Sequence, residues 1–113
     1  MLDQNELINW VKSFDVESTV ISYCHKCIDN YLVDSPEDVE LYFGEYCPDN
    51  LLLELKKVYV VINWKEPDYS HIVALVPIVY ANKEIGRYEL FFKMSGEIYD
   101  DLLVIDGKEH LVY

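Results

Sequence analysis

Cations are scarce in this 113-residue chain. Nine Lys and Arg stand against twenty-one Asp and Glu, a formal charge of −12. Binding to nucleic-acid phosphates needs a basic footprint, so direct nucleic-acid binding is not expected. Long apolar runs are missing as well: no stretch of eighteen apolar residues occurs, and no membrane-spanning helix is expected. The first residues, Met1-Leu-Asp-Gln-Asn-Glu6, lack the basic start and apolar core of a secretory signal. Three cysteines are too few for a disulfide framework and suit a reducing compartment, so a cytosolic protein is expected. Glycines number four, and none forms a phosphate-cradling loop. No internal repeat, low-complexity segment or linker breaks the chain, which has the length of a single domain spanning residues 1–113.

Strand-forming residues are abundant in the second half. Val58 to Trp64 is apolar, β-branched and aromatic. Lys65-Glu-Pro-Asp68 has turn chemistry. Ser70 to Tyr80 carries apolar residues on both alternation sets: Ile72, Ala74, Val76, Ile78 and Tyr80 on one, Val73, Leu75 and Val79 on the other. Such a strand is expected to be covered on both faces for part of its length. Pro77 cannot donate to a ladder, which predicts a bulge or an unpaired edge there. After a turn at Asn82-Lys83, Ile85 to Met94 alternates Tyr88, Leu90 and Phe92 with Arg87, Glu89, Phe91 and Lys93. Ser95-Gly96 suits a two-residue hairpin loop before Glu97 to Ile105. Asp106-Gly107 predicts a further turn, with His110 to Tyr113 returning as a short fifth strand. Short turns make neighbours antiparallel. The expectation is an α+β fold in which N-terminal helices (residues 3–57) pack on a four- to five-stranded antiparallel meander (residues 58–113).

The first half reads as helices. Asp3 caps the first, with Glu6 three positions on and an apolar stripe of Leu7, Ile8, Val11 and Phe14; Trp10 sits near its border. Asp15 is placed to cap a second. Its stripe (Val16, Thr19, Val20, Tyr23, Cys24, Cys27, Ile28, Tyr31 and Leu32) should lie on the sheet. Ser35-Pro36-Glu37-Asp38 starts a third, with Val39, Tyr42, Phe43 and Tyr46 as its buried stripe and Pro48 as its end. Leu51 to Lys57 fits either a short helix or the lead into the first strand.

Candidate chemistry is thin. Cys24-His25-Lys26-Cys27 has the spacing of a redox pair or half a zinc site. It falls mid-helix, on the apolar stripe, where cysteine serves as a small hydrophobe, and no metal or cofactor is expected. His71 follows Ser70, but neighbours on a strand face opposite ways and cannot form a nucleophile–base pair. Asp100 and Asp101 diverge for the same reason; either a solvated strand end or one buried carboxylate suited to acid–base work fits them. Ten Tyr and two Trp are many for this length, and Tyr59, Trp64, Tyr69 and Tyr99 are the aromatics expected at a surface or pocket. Between Lys26 and Lys56 there is no cation at all, while Asp34, Glu37, Asp38, Glu40, Glu45 and Asp49 lie there. That interval serves solubility or a basic partner.

The order of helices before a long meander resembles the cystatin-like and NTF2-like shape, in which a curved sheet wraps a helix. The acidic interval from Asp29 to Glu54, with Tyr31, Tyr42 and Tyr46, and the strand Gly96-Glu-Ile-Tyr-Asp-Asp101 resemble in type the bacterial immunity proteins that neutralise polymorphic or contact-dependent toxins. That resemblance implies a non-enzymatic inhibitor of a basic, nuclease-type toxin domain. Asp34, Glu37, Asp38, Glu40, Glu45 and Asp49 would steer it, and Tyr42 and Tyr46 would anchor it. The NTF2-like reading implies instead a small-molecule pocket between the second helix and the sheet, using His71, Tyr99, Asp100 and Asp101. A phage-type inhibitor that mimics DNA shares the acidic logic of the first. An apolar edge near Pro77 could also support a homodimer.

Overall fold

We describe residues 3–105 and 108–110 of a computed structural model; Asp106-Gly107 and residues 111–113 lie outside the described residues. Three helices, α1 (Gln4–Ser13), α2 (Val16–Asp34) and α3 (Pro36–Phe43), precede six strand segments. These are β1 (Leu51–Leu53), β2 (Lys57–Val61), β3 (His71–Tyr80), β4 (Lys83–Lys93), β5 (Ile98–Ile105) and β6 (Lys108–His110). All pairings are antiparallel, in the order β1–β3–β4–β5–β6, with β2 also on β3. The architecture is the expected α+β one, helices first and then a meander.

β1 and β2 are two pieces of one edge strand. Leu53 pairs with Ile78 and Lys57 with Leu75, so three residues of the edge span two of β3. The break faces Pro77, which has no N–H to offer. The Lys56 N–H reaches the Leu75 carbonyl at 2.9 Å, so Lys56 and Lys57 both serve Leu75, the geometry of a bulge. The extra residue shifts the alternation by one. Leu51, Leu53 and Leu55 on one side of it, and Val58 and Val60 on the other, therefore all pack toward the helices. This settles the ambiguous Leu51 to Lys57 as strand, bulge included. It also places Pro77 on an interior strand, with Arg87 of β4 across from it; the open edge belongs to β1 and β2.

β3 is the axis of the core. Its Ile72, Ala74, Val76 and Ile78 are fully buried, and Tyr80 nearly so. They meet the α2 stripe of Val16, Val20, Cys24, Cys27, Ile28 and Tyr31, with Tyr88, Leu90, Phe92, Leu103 and Ile105 from β4 and β5. Burying each such side chain is worth roughly 1.5–3 kcal/mol before chain entropy is counted. On the outer face no helix covers β3 among the described residues, yet Val73 and Leu75 are buried. The Tyr59 hydroxyl donates to Glu89 Oε1 at 2.7 Å, and these residues sit on the strands either side of β3. A tyrosine laid across the strand thus supplies the second cover.

The helix ends differ in part from expectation. Asp3 caps α1, its carboxylate accepting from the Glu6 N–H at 2.8 Å. Asp15 makes no side-chain cap: it takes a left-handed φ of 53° and turns the chain from α1 into α2. Ser35 makes none either, and Pro36 opens α3 at the first position as expected. α3 ends earlier than Pro48, at Phe43, where Gly44 supplies φ 63°. Glu45, Tyr46 and Asp49 therefore lie beyond the helix. No residue of α1 is fully buried. Ile8 and Phe14 remain exposed, and α1 is held instead by Trp10, whose indole N–H donates to the Met94 carbonyl at 2.9 Å and whose ring meets Phe92 edge-on.

Two turns also move. The β3–β4 turn is Ala81-Asn82, both at positive φ, and Lys83 already pairs with Tyr80. The β4–β5 loop has four residues, Met94-Ser95-Gly96-Glu97. The Gly96 N–H bonds to the Lys93 carbonyl and the Lys93 N–H to the Glu97 carbonyl. Gly96 takes φ 93°, and a Cβ there would collide with the Phe14 ring. β6 is present over Lys108–His110, beginning two residues before the predicted return, whose residues 111–113 lie outside the described residues.

Gly96→Ala should therefore cost about 1–3 kcal/mol, from left-handed strain and displacement of Phe14. Urea unfolding followed by circular dichroism measures it, and an unchanged midpoint would refute the assigned turn.

Candidate functional site

The two ends of the sheet differ in chemistry. At one end, Tyr80 closes β3 and packs on Phe43 of α3 with ring centroids 4.9 Å apart. Tyr46 stacks on Tyr80 at 5.6 Å and meets Phe43 edge-on. The Tyr80 hydroxyl donates to the Glu45 carbonyl and accepts from the Cys47 N–H at 2.8 Å. This aromatic knot pins the acidic segment to the sheet. Burial and nearby Asp29 push the Tyr46 phenol up from its ordinary pKa. Tyr42 and Tyr46 are half-buried, so both are packing residues first and protruding anchors only in part.

Around this knot Asp34, Glu37, Glu40, Glu45 and Asp49 are exposed. Asp38 is half-buried, and its charge, after burial, helps push the Tyr31 phenol up to about 12. Among the described residues the ion pairs are Arg87–Glu89 and Lys93–Glu97, so none of these six carboxylates has one. Sequence reasoning missed two exposed apolar residues on the helices that carry Asp34, Glu37, Asp38 and Glu40. Val33 is 78 % exposed and Leu41 72 %. The signal was available, because both fall off the buried stripes of their helices.

At the other end, Val61, His71 and Lys93 are in register across three strands. The β2–β3 loop and the β4–β5 turn project beyond them. Tyr69 and Tyr99 line one cleft there, with His71, Lys93, Met94 and Asp68 among its walls and a volume of about 650 Å³. Tyr99 is the extra residue of a bulge, since Asp100 pairs with Phe91 and Ile98 with Phe92. The bulge brings its ring onto His71 at 5.7 Å and Phe91 at 6.2 Å. Trp64, on the β2–β3 loop, is 89 % exposed. The structure thus joins two of the four residues named for an alternative pocket, His71 and Tyr99, on the outer side of the sheet.

Asp100 and Asp101 do not line that cleft. Asp101 turns toward α2, where its Oδ2 accepts from the fully buried Tyr88 hydroxyl at 2.7 Å. Asp100 is exposed and accepts the Asp101 N–H at 2.8 Å. The space between α2 and the sheet, where a pocket was expected, is packed with side chains. Tyr88 is pushed far up in pKa by burial first and by the bond to Asp101 second. Burial likewise pushes the Cys24 and Cys27 thiols up to about 12, with each other's or Asp101's charge adding. Thiols held protonated in this way are poor nucleophiles and poor metal ligands. Ser70 Oγ accepts the Asn63 N–H at 3.0 Å. Among the described residues no group of three or more His, Cys, Asp or Glu is placed to hold a metal ion, and no helix is long and apolar enough to cross a membrane.

No family model, curated protein or solved structure matches this chain, so the likeness to cystatin-like and NTF2-like shapes stands on element order alone.

The raised phenols and thiols make stability sensitive to alkali. A group whose folded pKa lies above its unfolded value stabilises fully below the unfolded value and loses that contribution as pH rises. The window here opens near pH 9 to 10, the unfolded range of Cys and Tyr, and runs through about 12 for Cys24, Cys27, Tyr31 and Tyr59. Tyr88→Phe should cost about 1–2 kcal/mol at neutral pH, where the bond to Asp101 is lost. The difference from wild type should narrow above pH 10. Denaturant midpoints measured from pH 7 to 11 would show it, and a gap that stays constant would mean the phenol's ionisation is not linked to folding.

Proposed function

We propose that this protein is a non-catalytic binding module that recognises a basic protein partner and inhibits it, in the manner of an immunity protein acting on a nuclease-type toxin. The observation that supports it is the surface around α3. Among the described residues the carboxylates there are in no ion pair, and Val33 of α2 and Leu41 of α3 are solvent-facing. Charge of one sign speeds encounter with a basic surface, and the apolar side chains gain area once contact is made. The helix is pinned by Phe43, Tyr46 and Tyr80, so the carboxylates are presented with little ordering cost on binding. A nuclease active site that holds phosphates with Lys and Arg is the complementary chemistry.

The pocket alternative keeps one supporting observation, the cleft between Tyr69 and Tyr99, but in a different place from the helix–sheet space first expected for it. A DNA mimic would share the acidic surface and differ only in its target.

Pull-down from a lysate at low and high salt, with mass spectrometry, tests the reading. A basic protein retained at low salt and weakened at high salt is the expected result. With that partner in hand, Glu37→Lys, Glu40→Lys and Glu45→Lys together should slow association about tenfold or more at low ionic strength and flatten its salt dependence. An unchanged on-rate would remove this surface from the contact.

A further inference from the structure

We infer that the cleft between Tyr69 and Tyr99 receives a cationic side chain, an arginine, presented by a protein partner. This deepens the reading above, since it too assumes a basic partner, but it places a second contact at the opposite end of the sheet. β3 separates the two by its ten residues, about 30 Å of strand.

Exposed apolar area gathers at this end. Ile62, Trp64, Tyr69, Met94 and Tyr99 are all exposed, and they come from the β2–β3 loop, the β4–β5 turn and the start of β5. Trp64 is the most exposed of them, an unusual state for the largest apolar side chain. The loop that carries Trp64 and Tyr69 is internally braced. The Asn63 N–H bonds to Ser70 Oγ, Glu66 N–H to Asn63 Oδ1, Tyr69 N–H to the Glu66 carbonyl, and Ser70 N–H to the Pro67 carbonyl. The rings are therefore held out on an ordered support.

The sign of the occupant follows from the charges. Asp68 lines the cleft. Lys93 also lines it, but its ammonium lies 3.4 Å from the Glu97 carboxylate and is offset by it. Asp100 adjoins Tyr99 in sequence and holds the Tyr99 phenol above its ordinary pKa, after burial. An anion entering here would meet these carboxylates and the field of a −12 chain. An uncharged apolar group would leave Asp68 without a partner. A guanidinium satisfies both demands, because it is planar, stacks on tyrosine and donates to a carboxylate. Among the described residues, the cation found over a ring is Lys57 over Tyr59, on another part of the sheet.

The test titrates the intact protein with a capped glycine–arginine–glycine peptide while following the ring resonances of Tyr69 and Tyr99. Parallel titrations use the peptides with citrulline or glutamate in place of arginine. The expected result is movement of both rings with arginine and at least fivefold weaker binding of the citrulline peptide, which keeps the shape and lacks the charge. Tyr69→Leu, at an exposed position, should weaken the arginine peptide about fivefold; Tyr99→Leu should do the same, with Tyr69→Leu deciding should the latter misfold. Equal binding of citrulline or glutamate, or arginine-induced shifts confined to the α3 surface, would overturn the inference, as would no shift at all. The triple charge reversal on α3 should leave the ring shifts in place. Ring shifts without any basic protein captured from lysate would sink the inhibitor reading and keep the cleft; capture without ring shifts would do the reverse.

Discussion

The contact between α2 and β3 is the constraint on which the other elements depend. β3 is bonded along both edges and buried along one face, and α2 buries a six-residue stripe against that face. A shift of one residue in β3 would turn Ile72, Ala74, Val76 and Ile78 outward, so its register is strongly specified. Pro77 sits in the middle of this strand. The ladder it cannot complete is absorbed by the edge strand, which takes a bulge at Lys56 and changes phase. The bulge also puts two lysines on the open edge, and both features discourage edge-to-edge association. The strand at Pro77 has neighbours on both sides, so the open edge is that of β1 and β2.

Polar groups near the core are placed with the same economy. Tyr88 and Asp101 satisfy each other beneath α2, and Tyr59 and Glu89 do so above β3. Each pair is a hydroxyl donating to a carboxylate at 2.7 Å, the short, charge-assisted kind. Both pairs are structural in effect. They close the two faces of the sheet, and they leave the chemistry of the protein to its ends.

Those ends are unlike. One is acidic, with an aromatic knot underneath and exposed aliphatic residues on top. The other is aromatic, with Asp68 in the wall of a cleft that opens on the outer side. A rigid sheet about 30 Å long between two such surfaces suits a protein whose work is contact. A partner broad enough to touch both would be steered by the first and gripped by the second. Carboxylates act at a distance, whereas ring stacking acts only on contact.

Much of the fold was legible in the residues. Period-two alternation gave β4 its faces, the three-and-four spacing gave α2 its buried stripe, and Pro77 marked a bulge. These are local consequences of side-chain geometry, and a sequence carries them directly. The acidic interval was legible too, because charge needs no fold to be counted. Tertiary structure alone decided the rest. Trp10 anchors α1 because the Met94 carbonyl lies within reach, a meeting of residues far apart in the chain. Alternation already parted Asp100 from Asp101, but only packing brought Asp101 to the Tyr88 hydroxyl, and Tyr99 reaches His71 because a bulge adds one residue between the partners of Phe91 and Phe92. Tyr46, expected on the helix stripe, packs from beyond the helix, because Gly44 ends α3 early and returns the chain onto Tyr80. Composition and periodicity determine which residues are buried and which carry charge; only the packed chain determines which of them meet, since that depends on contacts no local pattern encodes.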